Sequence, residues 1–487
     1  MLRKRSKNFM LTCGEGIAAP RSERSKHSIP CFMSLDRLRK QPLIHHHPNI
    51  RRRPILGPPS RCRRLVWLSL LVFIASAREA SLANPMLHVA NGALVDGQGR
   101  HVLLRCVNLS PWLIPEGYLI GQASLAALTT SPSEVKQRLE EIVGPDEARA
   151  FWQEWINNFV VESDFQHLKS HGFNCVRLPL NYGYLVGSDA GGTIAFAEAQ
   201  VAPVDHAVAW AAAYGLYVIL DLHDAPGGQN PLPSVADVSS GDKVARLWRG
   251  PTAAANQTKT IAFWRTIAAR FSGAAGLGGY DLLNEPALPS GIAKEVLAQL
   301  YQHIVEAVRQ VDGEHLIVLE GDSYAHDFSA LKPPPDENVM YEFHEYAFFN
   351  PRWRTPVQQT LEPFLELRSA TKMPLWLGEF GENSLEWHVR MVRLMKANDI
   401  GWSVWPWKRI DLMNGHPAVE TIHVPASWKA IAGYLVGAWL SRRPARAEAE
   451  LAIREMLQAT KSANCAEDRV LEDALAGGQA GSQSPGS

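Results

Sequence analysis

Tyr280-Asp281-Leu282-Leu283-Asn284-Glu285-Pro286 and Leu375-Trp376-Leu377-Gly378-Glu379-Phe380 each carry an apolar, strand-like run into a glutamate. The two glutamates stand 94 positions apart. A third of that spacing is about 31 residues, close to one strand-plus-helix unit of an eightfold barrel of roughly 250 residues. Three units of separation in a closed barrel set two carboxylates facing each other across its mouth. Asn-Glu-Pro alone also reads as a turn, because asparagine and proline punctuate loops. What lies around the two motifs decides between these readings.

Working outward, eight apolar strand candidates recur: Leu103–Leu109, Asn174–Leu180, Leu216–His223, Tyr280–Glu285, Leu316–Glu320, Val339–Tyr346, Leu375–Phe380 and Trp402–Trp407. Near-continuous Val/Ile/Leu runs suit parallel strands covered on both faces. Helical patterns separate most of them. Ile292 to Val311 carries Val296, Leu297, Leu300, Ile304, Val308 and Val311 at helical spacing. Gly172, Gly215 and Gly313 stand just before strands, where a left-handed cap ends a helix. Alternating strands and helices with eight repeats predict an α/β fold, the (β/α)8 TIM barrel, as a single domain over 84–465. No glycine-rich phosphate loop follows the first strand, so a dinucleotide reading has no support.

A hairpin around Asn91-Gly92 is expected ahead of the barrel. Long connections at Trp112–Asp164, Gly183–Pro203, Pro226–Thr260 and Phe348–Pro363 leave C-terminal strand ends, the face that carries active sites in this fold. Trp428–Leu440 and Ala445–Lys461 read as closing helices, and 466–487 as a disordered tail.

The chain has 487 residues and is 46% hydrophobic, enough for a large core. Its zero net charge hides a split: residues 1–83 hold 17 Lys/Arg against 4 Asp/Glu, and the remainder 32 against 45. So acidic a body is a poor partner for nucleic acid, because phosphate contacts need clustered Lys and Arg. The basic excess belongs to a leader over 1–64, long enough that an over-extended start upstream of Met33 is one reading. Arg61, Arg63 and Arg64 then precede the apolar run Leu65–Ala75 and small residues at Ala75-Ser76-Ala77 and Ser81-Leu82-Ala83. That order predicts an export signal over 65–83. Its apolar core is well short of the roughly 20 residues that span a bilayer. The expectation is an exported monomer, secreted or periplasmic, with no stable membrane insertion after cleavage.

Cys13, Cys31 and Cys62 fall in the leader, and Cys465 stands alone near the C-terminus. Cys106 and Cys175 sit inside strand-like runs, where cysteine acts as a small hydrophobe. No disulfide framework is expected.

The predicted strand ends carry the chemistry. Arg177 lies on the second, His223 and Asp224 on the third, Asn284 and Glu285 on the fourth. His344 and Tyr346 end the sixth, Glu379 the seventh, and Trp405 lies on the eighth. Each alone has an ordinary structural reading. So many polar groups would be costly inside an apolar core; at one mouth they form a site.

The strings Phe173-Asn174-Cys175-Val176-Arg177-Leu178-Pro179, Leu220-Asp221-Leu222-His223, Asn284-Glu285-Pro286, His344-Glu345-Tyr346, Gly378-Glu379-Phe380 and Trp402-Ser403-Val404-Trp405 resemble glycoside hydrolase family 5. These are cellulase-like enzymes within the clan of retaining barrel glycosidases. The resemblance covers Leu87 to Cys465 and implies a retaining β-glycosidase acting on a β-linked glucan. Glu285 is then the acid/base and Glu379 the nucleophile, two carboxyls about 5 Å apart of which one holds a proton. The resemblance puts Arg177 and Tyr346 beside the nucleophile and Asn284 on the sugar 2-hydroxyl. His223 and His344 line the −1 subsite, and Trp405 offers a platform to the sugar face.

The implied partner is a β-linked polysaccharide or oligosaccharide; no cofactor and no metal is required. Barrel hydrolases that use zinc commonly carry His-x-His on the first strand, where this chain has Val107-Asn108-Leu109. Linkage stays open among β-1,3- and β-1,4-glucans, mannans and glycolipids. A transglycosylase and a carbohydrate-binding barrel are the other classes, and a pure binding module would not need both glutamates. Asp224 stands where some relatives have glycine, and a carboxylate there is expected to reshape the minus-side subsites.

Overall fold

A computed structural model describes residues 86–477, apart from 122–124, 191 and 412–417. The expected leader and export signal lie outside the described residues. Eight parallel strands close into a barrel: β1 (Arg105–Asn108), β2 (Cys175–Asn181), β3 (Tyr217–Asp224), β4 (Leu277–Asp281), β5 (Leu316–Glu320), β6 (Val339–Glu345), β7 (Leu375–Gly381) and β8 (Gly401–Trp405). They follow one another around the barrel in chain order, with β8 pairing back onto β1. Every residue of β2, β3, β6 and β7 is buried, as coverage by helices outside and side chains inside demands.

The largest departure from expectation falls at β4. The apolar pattern starts that strand at Tyr280; the ladder starts at Leu277 and ends at Asp281. Its opening residues are glycine-rich, which strand propensity discounts. Packing overrides propensity here: a Cβ on Gly279 would lie 2.7 Å from the Leu316 carbonyl oxygen of β5. Beyond Asp281 the chain climbs towards the mouth, tied by Leu282 N–H to the Val318 carbonyl (3.2 Å) and Asn284 N–H to the Leu222 carbonyl (3.1 Å).

The amphipathic stripe after β4 forms the helix Glu295–Arg309, which buries Leu297, Leu300, Ile304 and Val308 against the barrel. Gly215 ends the helix Glu198–Tyr214 in the left-handed conformation, at φ 65°. Gly313 does not take that conformation. The Asp312 carboxylate turns the chain instead, accepting the N–H groups of Glu314 (3.0 Å) and His315 (3.1 Å).

The expected hairpin pairs His88–Ala90 with Ala93–Val95. Leu87 and Leu94 join Leu104, Ile219, Val318 and Trp376 in a buried apolar cluster that closes the barrel floor. Cys106 and Cys175 belong to the same cluster and are register partners on β1 and β2. Their Cα atoms are 4.6 Å apart and they form a disulfide. This corrects the expectation of two separate small hydrophobes. A sequence separation of 69 hides a contact that exists only once the two strands are neighbours.

The expected tail is corrected over 466–477. Ala466–Glu467 pairs with Glu420–Thr421, and Arg469–Leu475 is a helix that buries Leu471 and Leu475. The Leu475 carbonyl accepts the indole N–H of Trp402 on β8 at 2.7 Å. The Gly, Ser and Gln of 478–487, outside the described residues, dominate the composition of this stretch and mask the apolar positions before them. No helix among the described residues is long and apolar enough to cross a membrane.

Candidate active site

Arg177 organises the upper barrel. Its side chain is fully buried on β2, so every guanidinium N–H needs a partner inside the protein. Nη1 donates to Glu379 Oε1 (2.6 Å) and to Asn108 Oδ1 (3.1 Å). Nε and Nη2 donate to Asp281 Oδ2 at 2.9 and 2.7 Å, and Nη2 also reaches Asn284 Oδ1 (3.0 Å) and Glu320 Oε1 (3.2 Å). Asp221 and Glu342 complete the ring at 3.1 and 3.3 Å. Burial opposes this cation, but the surrounding carboxylates outweigh it and hold its pKa well above the ordinary value. A bidentate, always-charged guanidinium suits the centre of such a ring better than lysine.

Glu379 is fixed from two sides. Arg177 holds one oxygen, and the Tyr346 hydroxyl donates to the other at 3.0 Å. The strand shifts register against both neighbours around this residue, between Phe343 and His344 on β6 and again on the β8 side. Such irregularities re-aim a side chain at the rim of a barrel.

Glu285 is positioned by backbone instead. Its φ of 45° is left-handed, and both its peptide groups are tied: N–H to Glu320 Oε2 (2.7 Å), and the carbonyl to Asn230 Nδ2 (3.0 Å). A non-glycine residue in this region persists only where its surroundings over-determine it. Burial holds the Glu285 carboxyl above the usual carboxylate range, against the pull of His223, His326 and Arg177.

His344 joins the two glutamates. Nδ1 lies 2.9 Å from Glu285 Oε1 and 3.6 Å from Glu379 Oε2, and one oxygen of each glutamate and a ring nitrogen fall within 4.8 Å of one another. Nε2 faces Glu342 Oε1 (3.1 Å) and Glu320 Oε1 (3.5 Å), oxygens that also pair with the Arg177 guanidinium. Nε2 therefore carries the proton, and Nδ1 is free to accept one from Glu285. Burial pushes His344 down to about 3, so the ring is neutral.

A cavity of about 540 Å³ opens above these groups. Glu285, Glu379, His223, His344, Tyr346 and Trp405 line it, while Arg177 and Asn284 lie fully buried beneath. The Trp405 ring lies parallel to His223 with centroids 5.4 Å apart, and its N–H donates to the Tyr118 hydroxyl (2.9 Å). His223 Nδ1 lies 2.8 Å from Asp221 Oδ2. Burial would lower its pKa, but the charge and hydrogen bond of Asp221 raise it well above the ordinary value.

Eight of the nine strand-end residues singled out in the sequence thus converge. Asp224 does not join them: it is buried against Asn181 (2.7 Å) and is absent from the cavity lining. Sequence reasoning missed Glu116 and Tyr118, which line the cavity from the loop after β1. It also missed the acidic floor of Asp281, Glu320 and Glu342. Burial and mutual repulsion raise Asp281 to about 7 and hold Glu320 and Glu342 well above the carboxylate range. Their signal is present in the sequence, as single carboxylates interrupting apolar strands two residues from a neighbour on the same face.

The family model for Cellulase (glycosyl hydrolase family 5) matches residues 136–410. A beta-xylosidase of Phanerodontia chrysosporium is 27% identical over 354 residues, covering 66% of this chain and 71% of its own. "Probable glucan 1,3-beta-glucosidase A" of Aspergillus fumigatus is 28% identical over 291 residues, 59% of this chain and 64% of that one. Endoglucanase C of Acetivibrio thermocellus is 24% identical over 319 residues, 54% of this chain and 88% of that one.

Proposed function

The chain belongs to glycosyl hydrolase family 5, the cellulase family, and from that membership we propose that it hydrolyses a β-linked glucan by double displacement. Glu379 is the nucleophile and Glu285 the acid/base. The observation that carries this reading is the Glu285–His344–Glu379 group, with one carboxylate oxygen of each glutamate within 4.8 Å. Retaining glycosidases hold their two carboxyls about 5–5.5 Å apart, and inverting ones leave a wider gap for water.

The mechanism requires Glu285 protonated, where it faces His344 Nδ1, and Glu379 ionised, where Arg177 and Tyr346 donate to its two oxygens. Glu379 attacks the anomeric carbon while Glu285 protonates the departing oxygen. Glu285, now a carboxylate, takes a proton from water as that water displaces the Glu379 ester. Asn284 and His223 meet the sugar hydroxyls, and Trp405 its apolar face.

A β-1,3-glucan is the first substrate to test, since proteins named as probable glucan 1,3-beta-glucosidases are among the chain's relatives. Export belongs to the same proposal. It is supported by the Leu65–Ala75 signal pattern and by the Cys106–Cys175 disulfide, a bond that persists in oxidising compartments. Reducing-sugar release and product profiling on β-1,3-glucan, mixed-linkage glucan, carboxymethylcellulose and mannan tests the reading. Cleavage that depends on Glu379 supports it; cleavage retained by Glu379→Gln overturns the mechanism. Products that keep the β configuration on first release support double displacement, and α products refute it.

A further inference from the structure

Four groups of His and carboxylate side chains bring three ligating atoms within 4.8 Å among the described residues. Three of them surround Arg177, whose guanidinium already supplies the positive charge. The fourth lies away from the cavity: His167, His171 and Glu472. His167 is in the last turn of the helix Glu162–Ser170, His171 caps that helix one turn on, and Glu472 comes from the helix Arg469–Leu475. A four-residue spacing sets both imidazoles on one helix face.

The atoms are arranged for a cation. Glu472 is fully buried; its Oε1 lies 2.7 Å from His167 Nε2, while Oε2 has no hydrogen-bond partner and faces His171 Nε2 at 3.6 Å. His171 Nδ1 is 3.0 Å from the His167 carbonyl oxygen and 3.2 Å from Ser170 Oγ, whose own hydrogen goes to that carbonyl (2.7 Å), so Nδ1 is the donor and carries the ring hydrogen. In the neutral imidazole Nε2 is then a lone pair facing Oε2, two atoms able to ligate a cation. The His171 hydrogen bond to a carbonyl is the outer contact that orients a metal-bound imidazole. His167 and His171 keep 19% and 27% of their side-chain surface exposed, which leaves an entry path from solvent.

We propose that His167, His171 and Glu472 bind one Zn2+ ion outside the active site, with solvent in the fourth position. Two imidazoles and a carboxylate suit this ion. The ion staples the C-terminal helix to the helix that leads into β2, the strand carrying Arg177.

The test uses the full chain after chelator treatment. Co2+ titration should give visible ligand-field absorption saturating at one equivalent, and Zn2+ should displace it and raise the thermal midpoint. His171→Gln should weaken Zn2+ binding at least 100-fold and remove the rise in midpoint, with glycosidase activity unchanged. Glu472→Gln should do the same; because that carboxylate is buried, His171→Gln serves if the Glu472 variant folds poorly. Glu379→Gln should leave metal uptake intact. No saturable uptake by the wild type, uptake unaffected by His171→Gln, or uptake lost in Glu379→Gln would each overturn the proposal. A midpoint that responds to acid but not to Zn2+ would also overturn it, leaving a proton between these groups.

Discussion

The two ends of the barrel are built from the same strands two residues apart, yet they share almost no chemistry. Cys106, Cys175, Ile219, Val318, Met340 and Trp376 form the apolar floor. One step further along the same strands stand Asn108, Arg177, Asp221, Glu320, Glu342 and Gly378. Alternation along a strand keeps both sets on the inner face. Gly378 shows how tightly the second layer is fitted, since any Cβ there would overlap the Glu342 carboxyl. The difference teaches a division of labour. The lower layer holds the barrel shut without polar groups, and this permits the upper layer to spend burial on charge.

The sharpest way to break this comparison is to remove the upper layer's reacting group. Glu379→Gln should lower kcat by about 10^4-fold or more, on the scale of losing a covalent nucleophile, with an unchanged thermal midpoint. Steady-state kinetics beside a melting curve checks both halves. Glu285→Ala should cost about 10^3-fold on glucan, yet far less on aryl glycosides whose leaving group needs no proton.

The wild-type pH profile adds a sign. Glu285 acts as an acid only when protonated, and burial raises its pKa. Activity is therefore present below that raised pKa and lost as pH rises through it. The alkaline limb should sit above the ordinary carboxylate range and vanish in Glu285→Ala assayed on aryl glycosides.

The lower layer should behave in the opposite way. Replacing Cys106 and Cys175 by alanine should cost about 2–4 kcal/mol of stability and leave kcat within a factor of two, measured by denaturant titration and initial rates. The smallest effect is expected at Glu342, whose carboxyl burial holds well above the usual carboxylate range, so that Glu342→Gln, a neutral isostere, should stay within about threefold of wild type. Glu342→Ala should fall about 10- to 30-fold, because His344 and Arg177 lose a buried partner. A large loss of activity in Glu342→Gln would show that Glu342 is ionised and that the upper layer holds one more anion.

Much of the fold is legible in the sequence because parallel strands buried on both faces write themselves as apolar runs. Leu316–Glu320 is placed to the residue, and eight of the nine strand-end residues named for the site converge. What is not legible depends on neighbours in space. Gly279 reads as a strand breaker until Leu316 is packed against it. Cys106 and Cys175 read as a pair only when β1 lies beside β2. Glu320 looks like the rim of an apolar strand and Glu342 like a lone interruption of one, since nothing in either strand announces that Arg177 waits across the barrel. Asp224 fails in the other direction: a motif departure suggests a role in the cleft, and Asn181 takes that carboxylate into the wall.

The helix Arg469–Leu475 has a practical consequence for anyone handling this protein. Its Leu475 carbonyl receives the indole of Trp402, and Leu471 and Leu475 are buried. A purification tag or fusion partner joined at residue 466, where composition invites it, would strip a strand of the barrel of its cover and expose sticky surface during expression. Joined after Gly477, the same tag leaves every one of those contacts in place, and the yield of dispersed protein becomes a readout of where the domain ends.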